Sequence, residues 1–183
     1  MDTLQETRER MDETLSAVRR DFSTIRTGKA SPAVLDTVRV EAYGAKVPLN
    51  QVATVSAPEP SLLVVQPFDP SLLGEIEKGI QAADLGLNPA NDGRIIRVPI
   101  PPLTEERRKE YVRLLSKMAE EGRVSIRHAR RDANEALKER KSAGELSDDE
   151  AHREGEAVQK LTNEYIERID ELLEGKKNEV MAL

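Results

Sequence analysis

Along the first thirty residues, Leu4, Met11, Leu15, Val18, Phe22 and Ile25 are separated by 7, 4, 3, 4 and 3 positions, with charges filling most of the gaps. This is the a/d spacing of a helix that packs along one narrow seam. Gly28 is placed to end that helix as a left-handed residue, with Arg26 and Lys29 at the negative end of its dipole. A second pattern opens at Leu103-Thr104-Glu105-Glu106-Arg107, where Thr104 suits an N-cap and the two glutamates suit the first turn. It runs without proline to about Ala143, roughly 60 Å at helical rise. Its seam starts with Tyr111, Leu115 and Met118, then turns small through Gly122, Ser125, Ala129, Ala133 and Ala136, which allows close helix approach. Gly144 makes a turn, and Ser147 with Glu150 forms a capping box that starts a third helix. That helix carries Ala151, Val158, Leu161, Tyr165, Ile169, Leu172 and Val180 on one face. Three such helices predict an elongated antiparallel three-helix bundle.

Between them the period changes from helical to alternating. Val38–Ala42 reads as a strand, Tyr43-Gly44-Ala45-Lys46 as a hairpin turn, and Val52–Val55, Leu62–Val65 and Arg94–Val98 as further strands. Asp69-Pro70-Ser71 opens a short helix with Leu72, Leu73, Ile76 and Ile80 inward. The expected fold class is therefore α+β. Residues 1–30 and 104–183 form a discontinuous helical domain, and 31–103 a small inserted β/α/β domain. The two chain crossings, near 27–31 and 99–104, are candidate hinges, with Thr27, Gly28, Ser31, Pro101, Pro102 and Thr104 in them; consecutive prolines make one crossing semi-rigid.

Composition sharpens this division. All ten prolines lie between Pro32 and Pro102, and proline costs about 3 kcal/mol inside a helix. Charged residues reach 34% and aromatics only 3%, as suits exposed helices with thin aliphatic seams. The absence of cysteine excludes disulfides and thiolate metal sites. No apolar run approaches the roughly 20 residues of a membrane span, and the opening Met1-Asp2-Thr3 has no signal-peptide character. We expect a soluble monomer of the cytoplasm, with no membrane partner.

The net charge of −6 is unevenly spread. Residues 104–142 hold twelve basic and eight acidic groups, whereas 143–183 hold five and twelve. A polyanion should therefore meet one basic segment. Within that segment Arg123, Arg127, Arg130 and Asn134 are spaced 4, 3 and 4 and share a helix face, Arg131 flanks them, and no acid occurs from Gly122 to Arg131. Solvated helix faces usually interleave Glu with Lys, and guanidinium forks suit phosphate. A second basic group, Arg26, Lys29, Arg107, Arg108 and Lys109, lies by the crossings, about 30 Å away along the helix. With few aromatics for stacking, folded RNA read through its backbone is the expected ligand.

Catalytic signals are weak. Gly28-Lys29-Ala30-Ser31 lacks the upstream glycine of a phosphate loop, Ser23 standing in its place, and follows a helix. His128 and His152 are isolated on charged helices. No carboxylate pair sits in an apolar context suited to proton transfer. We expect no enzyme, metal or cofactor. A coiled-coil adaptor or holdase-like chaperone, which would offer the apolar seams to clients, is the alternative.

Four stretches, Ile25–Pro32, Asp84-Leu85-Gly86-Leu87-Asn88-Pro89, Arg97–Lys109 and Arg130-Arg131-Asp132-Ala133-Asn134, together resemble the bacterial ribosome recycling factor family. The resemblance covers essentially the whole chain. It implies an L-shaped protein of transfer-RNA-like size that releases ribosomes from messenger RNA after termination. With elongation factor G and GTP it would split the post-termination complex into subunits. The helical domain would lie on large-subunit ribosomal RNA. The family's RNA-contacting arginines fall on Arg127, Arg130 and Arg131, with Arg26 and Lys29 as hinge-side contacts.

Overall fold

Two stretches distant in sequence, Met1–Thr27 and Glu105–Leu183, cluster into one unit, and Gly28–Thr104 forms another, in a computed structural model that describes residues 2–182. The first crossing thus falls three residues earlier than the hydrophobic pattern suggests. The reason is local: the Ala30 N–H donates to the Pro60 carbonyl at 2.7 Å, drawing residues 28–30 into the middle unit.

In the helical unit, α1 (Thr3–Ser23) starts at Asp2, whose carboxylate accepts the Leu4 N–H. It stops well before Gly28. The Ser23 and Thr24 hydroxyls donate to the Arg20 and Asp21 carbonyls, both at 2.6 Å, and so satisfy last-turn acceptors that a longer helix would use. Arg20 occupies the last turn in place of Arg26 or Lys29. Gly28 does take a left-handed φ of 79°, but in the crossing segment. The seam also starts differently: Thr3 and Thr7 are buried, with the Thr7 hydroxyl donating to the Thr3 carbonyl at 2.7 Å. Leu4 is only partly buried, against Ala133, Leu137 and Val158.

Helix α3 (Glu105–Ser142) ends in a Schellman turn. Gly144 sits at φ 76°, the Glu145 N–H reaches the Arg140 carbonyl, and the Gly144 N–H reaches that of Lys141. Its buried line is Leu115, Ala119, Gly122, Ile126, Ala129, Ala133 and Leu137. Ser125 is exposed and Tyr111, Met118 and Ala136 are half-buried. The small-residue seam is therefore interrupted by Ile126 and Leu137, which fill the spaces its alanines leave. Helix α4 (Asp148–Met181) begins at the Ser147–Glu150 capping box. Leu173, not Leu172, enters the core, and Ala151 is half-buried.

The three helices approach one another closely at Gly122. A Cβ there would stand 2.6 Å from Val18 Cγ2 and 3.4 Å from Ile169 Cδ1, so only glycine fits. Near this point the buried Tyr165 of α4 donates its hydroxyl to Asp12 of α1, and Arg168 lies over its ring at 4.9 Å. Burial, then the hydrogen bond to Asp12, raises that phenol's pKa.

The middle unit pairs β1 (Arg39–Ala42) with β2 (Ala45–Pro48) in a hairpin. Its two-residue loop, Tyr43 and Gly44, has φ of 51° and 81°, the primed turn that follows strand twist. A separate antiparallel sheet runs β3-β4-β6-β5, from β3 (Ala53–Glu59), β4 (Leu62–Pro67), β5 (Ala90–Asn91) and β6 (Ile96–Pro99). Leu63 pairs with Val98 and Val65 with Ile96, all four buried, so one register points both strands into one core. Asp69 caps a 3-10 turn, Pro70–Leu72, that leads into α2 (Leu73–Ala82) with Ile76 and Ile80 buried. Strand β5 and the 3-10 turns Pro32–Leu35 and Leu49–Gln51 are too short to leave a periodic signature. No helix among the described residues is long and apolar enough to cross a membrane.

Two expectations test this packing. Gly122→Ala should destabilise the protein by about 1–3 kcal/mol through overpacking. Gly155→Ala, where nothing lies within 4 Å of the added carbon, should gain about 0.5–1 kcal/mol from helix propensity alone; urea unfolding reads both. The Asp92 carboxylate accepts the Ile95 and Arg94 N–H groups and the Arg97 guanidinium, which hold its pKa down to about 2. A depressed folded pKa means stability that is present above the ordinary 3.8 and fades as pH falls toward 2. Asp92→Asn should flatten the acid limb of a thermal-melt series across that window.

Candidate nucleic-acid interface

Helix α3 carries the arginine stripe, and the bundle sorts its members. Arg123 borders α4: its Nε and Nη2 donate to Asp170 Oδ1 at 2.8 and 2.7 Å, and its Nη1 pairs with Glu120 at 2.9 Å. Its side chain is 20% exposed. Burial works against the charge, and the hydrogen bonds to Asp170 and Glu120 outweigh it. Arg127 donates to the other oxygen of Glu120 at 3.0 Å. The Glu120 carboxyl is correspondingly held below its ordinary pKa, by Arg127 first and Arg123 second. The acid-free run from Gly122 to Arg131 is therefore misleading: a glutamate one turn earlier and an aspartate on another helix neutralise two of its arginines.

Arg130 is half-buried and Arg131 exposed, and neither has an ion-pair partner among the described residues. Asn134 is exposed beside them. The adjacent Asp132 is drawn away to Arg10 of α1 at 2.8 Å, which removes the nearest carboxylate from the arginine pair. The stripe flanks the packed seam and does not lie opposite it.

The second basic group divides in the same way. Arg107 pairs with Glu110 at 3.1 Å and Lys109 with Glu105 at 2.7 Å. Arg108 donates to the carbonyls of Val180 and Ala182, tying down the end of α4. Arg26, in the helical unit, and Lys29, in the middle unit, are exposed without an ion pair among the described residues. Of the crossing residues, Thr27 and Gly28 are half-buried, and Ser31, Pro101, Pro102 and Thr104 are exposed. Ser31 caps the turn that follows it. A Cβ on Gly28 would lie 3.2 Å from Leu103 Cγ, so the two crossings run side by side.

His128 is exposed and His152 faces Glu156 at 3.3 Å. Among the described residues no group of three His, Cys, Asp or Glu could hold a metal. A groove of about 420 Å³ between the ends of α1 and α4 is lined by Phe22, Ser23, Leu172 and Gly175 together with charged side chains of both helices.

A sequence model described as ribosome recycling factor matches residues 18–181. The ribosome-recycling factor of Bacillus licheniformis is 51% identical over 180 residues, covering 98% of this chain and 97% of that relative. That of Rubrobacter xylanophilus is 53% identical over 98% of this chain and 97% of its own. A solution structure of a ribosome recycling factor aligns with TM-score 0.74 and 42% identity over all of this chain and 97% of its own. A second structure shows the T. thermophilus ribosome recycling factor with E. coli elongation factor G on the E. coli post-termination complex. It aligns with TM-score 0.61 and 48% identity over 98% of this chain and 97% of its own.

The sorting of the arginines has a measurable consequence. Arg123→Ala should lower stability by about 0.5–1 kcal/mol, the scale of a surface pair. Arg130→Ala and Arg131→Ala should leave the melting temperature unchanged, as thermal denaturation of the three variants will show.

Proposed function

The chain belongs to the ribosome recycling factor family, and from that premise we propose that it releases ribosomes from messenger RNA after termination. Acting with elongation factor G and GTP, it splits the post-termination complex into subunits. The helical unit binds large-subunit ribosomal RNA, and Arg130 and Arg131 are its principal phosphate contacts. The observation that carries this assignment is that these two arginines alone in the stripe have no carboxylate to satisfy them. An arginine already paired must give up its partner before it gains a phosphate, so Arg127 and Arg123 contribute less, and Asn134, Arg26 and Lys29 extend the contact. Guanidinium groups meeting phosphates release counterions, which makes the binding salt-dependent.

The remaining step is mechanical. The middle unit moves about the crossings at Thr27, Gly28, Ser31, Pro101, Pro102 and Thr104 when the GTPase acts on it, and the factor catalyses nothing itself. It works as a monomer in the cytoplasm. The chaperone alternative is disfavoured because the seams it would offer are already used: Met11, Leu115, Ile126, Ile169 and Tyr165 are all at most 1% exposed.

Three outcomes test the proposal. Purified terminated polysomes should break down with this chain, elongation factor G and GTP, and persist without it. Arg130→Ala should fold normally, bind ribosomes more weakly and reduce the slope of log affinity against log salt by about one; an unchanged slope removes Arg130 from the interface. Because the chain has no cysteine, two introduced cysteines can lock the units together by a cross-linker. The locked protein should bind ribosomes and fail to split them until the link is cleaved.

A further inference from the structure

Of the carboxylates on or beside the arginine stripe, Glu120 stands apart. Asp170 joins α4 to α3 through Arg123, and Asp132 joins α3 to α1 through Arg10. Each of these holds one helix against another. The hydrogen bonds that Glu120 accepts come from Arg123 and Arg127, both on its own helix, so they fasten no helix to a neighbour. Nor does Arg123 depend on Glu120. Its guanidinium already gives two hydrogen bonds to Asp170 Oδ1, from Nε at 2.8 Å and from Nη2 at 2.7 Å.

The contact with Arg127 has an unusual span. Charged pairs along a helix surface ordinarily join residues three or four apart. These two are seven apart, about 10 Å of helical rise. Arg127 Nη1 reaches back toward the amino end of α3 to meet Glu120 Oε1 at 3.0 Å. Holding two extended side chains in one arrangement costs entropy that an exposed pair scarcely recovers. The side chains of Arg127 and Glu120 are 41% and 53% exposed, so water and an incoming ligand both have access to them. Stability does not account for such a contact, and its main effect is on charge. Among the described residues, Arg127 has a carboxylate partner where Arg130 and Arg131 have none.

A phosphate and Glu120 would make the same kind of hydrogen bond to this guanidinium, and one excludes the other. We propose that Glu120 competes with ribosomal-RNA phosphate for Arg127, as a positioning residue that holds this arginine in reserve and limits the grip of α3 on the ribosome. This deepens the recycling reading and rests on it, since that reading places phosphate at the stripe. A factor that leaves each ribosome after acting on it is served by an anchor weaker than its arginines allow. Arg130 and Arg131 supply the standing contact, and Arg127 adds to it only at the expense of Glu120.

The test is ribosome binding over a range of salt concentrations by full-length Glu120→Gln, Glu120→Ala, Arg127→Ala and the double variant Glu120→Gln/Arg127→Ala. Because Arg123 keeps Asp170, both Glu120 variants should fold as the wild type does. Each should bind about two- to fivefold more tightly at low salt, and the slope of log affinity against log salt should steepen by up to about one. In the Arg127→Ala background the Glu120 substitution should change neither quantity. Unchanged or weaker binding by both Glu120 variants overturns the assignment. So does a gain of the same size in the two backgrounds, which is the mark of plain repulsion between carboxylate and phosphate. Wild-type binding that does not respond to salt sinks the RNA reading itself, and the unmutated chain alone reveals that.

Discussion

At Gly122 the backbone of one long helix comes so near a second that a single methyl group would collide with Val18. That approach sets the spacing of the bundle, and the fate of the neighbouring side chains follows from it. With the helices so close, Arg123 is brought against α4, where Asp170 meets it. One face of α3 is thereby committed to the bundle, and the residues a turn or two further on, Arg130 and Arg131, are left at its margin without such a partner. Ala119, Ala129 and Ala133 continue the same narrow contact, and the larger Ile126 and Leu137 restore the apolar volume that an all-small seam would lack.

Electrostatics then decides which of the basic residues can serve an external polyanion. The last forty residues are strongly acidic, and among the described residues Asp170 is the carboxylate of α4 that ion-pairs with the stripe. Glu120, placed one turn before the run, binds two arginines at once. Asp132 sits inside the most basic stretch but is turned toward Arg10 on another helix. Within the stripe, pairing thus leaves Arg130 and Arg131 without a carboxylate among the described residues. Net charge per segment overestimates the unpaired remainder, because opposite charges are matched in three dimensions rather than along the chain.

Much of this was legible in the sequence, for identifiable reasons. Capping chemistry is local, so Ser147 with Glu150, the turn at Gly144 and the start of the last two helices could be read directly. The strand at Leu62–Val65 showed as a short β-branched apolar run, and the one expected at Arg94–Val98 forms from Ile96 onward. What could not be read depends on contacts between distant residues or on competition among local ones. The first helix ends at Ser23 because two hydroxyls take its terminal carbonyls, an outcome the more conspicuous Gly28 concealed. Thr7 enters the core because its hydroxyl donates to the Thr3 carbonyl of its own helix, and the Thr3 hydroxyl accepts from Arg140 of α3; hydrophobic spacing reveals neither. Leu172 and Leu173 are adjacent, and only the tilt of α4 decides which is buried. The pairing of Arg123 with Asp170 spans 47 residues and has no sequence signal at all.

On the proposed reading the factor catalyses nothing and can only redistribute binding free energy, and this constrains how its parts must differ. The portion that grips RNA has to be stiff, since a yielding anchor would dissipate any force applied elsewhere; long helices closed around Gly122 and pinned by Tyr165 to Asp12 meet that need. The portion acted on by the GTPase has to be joined so that it can turn against that anchor. The crossings hold Gly28, at a left-handed φ of 79°, and the consecutive prolines Pro101 and Pro102, a semi-rigid connection about which the proposed swing would turn. On the recycling reading, that arrangement lets energy from GTP enter through one unit while the other stays attached to RNA.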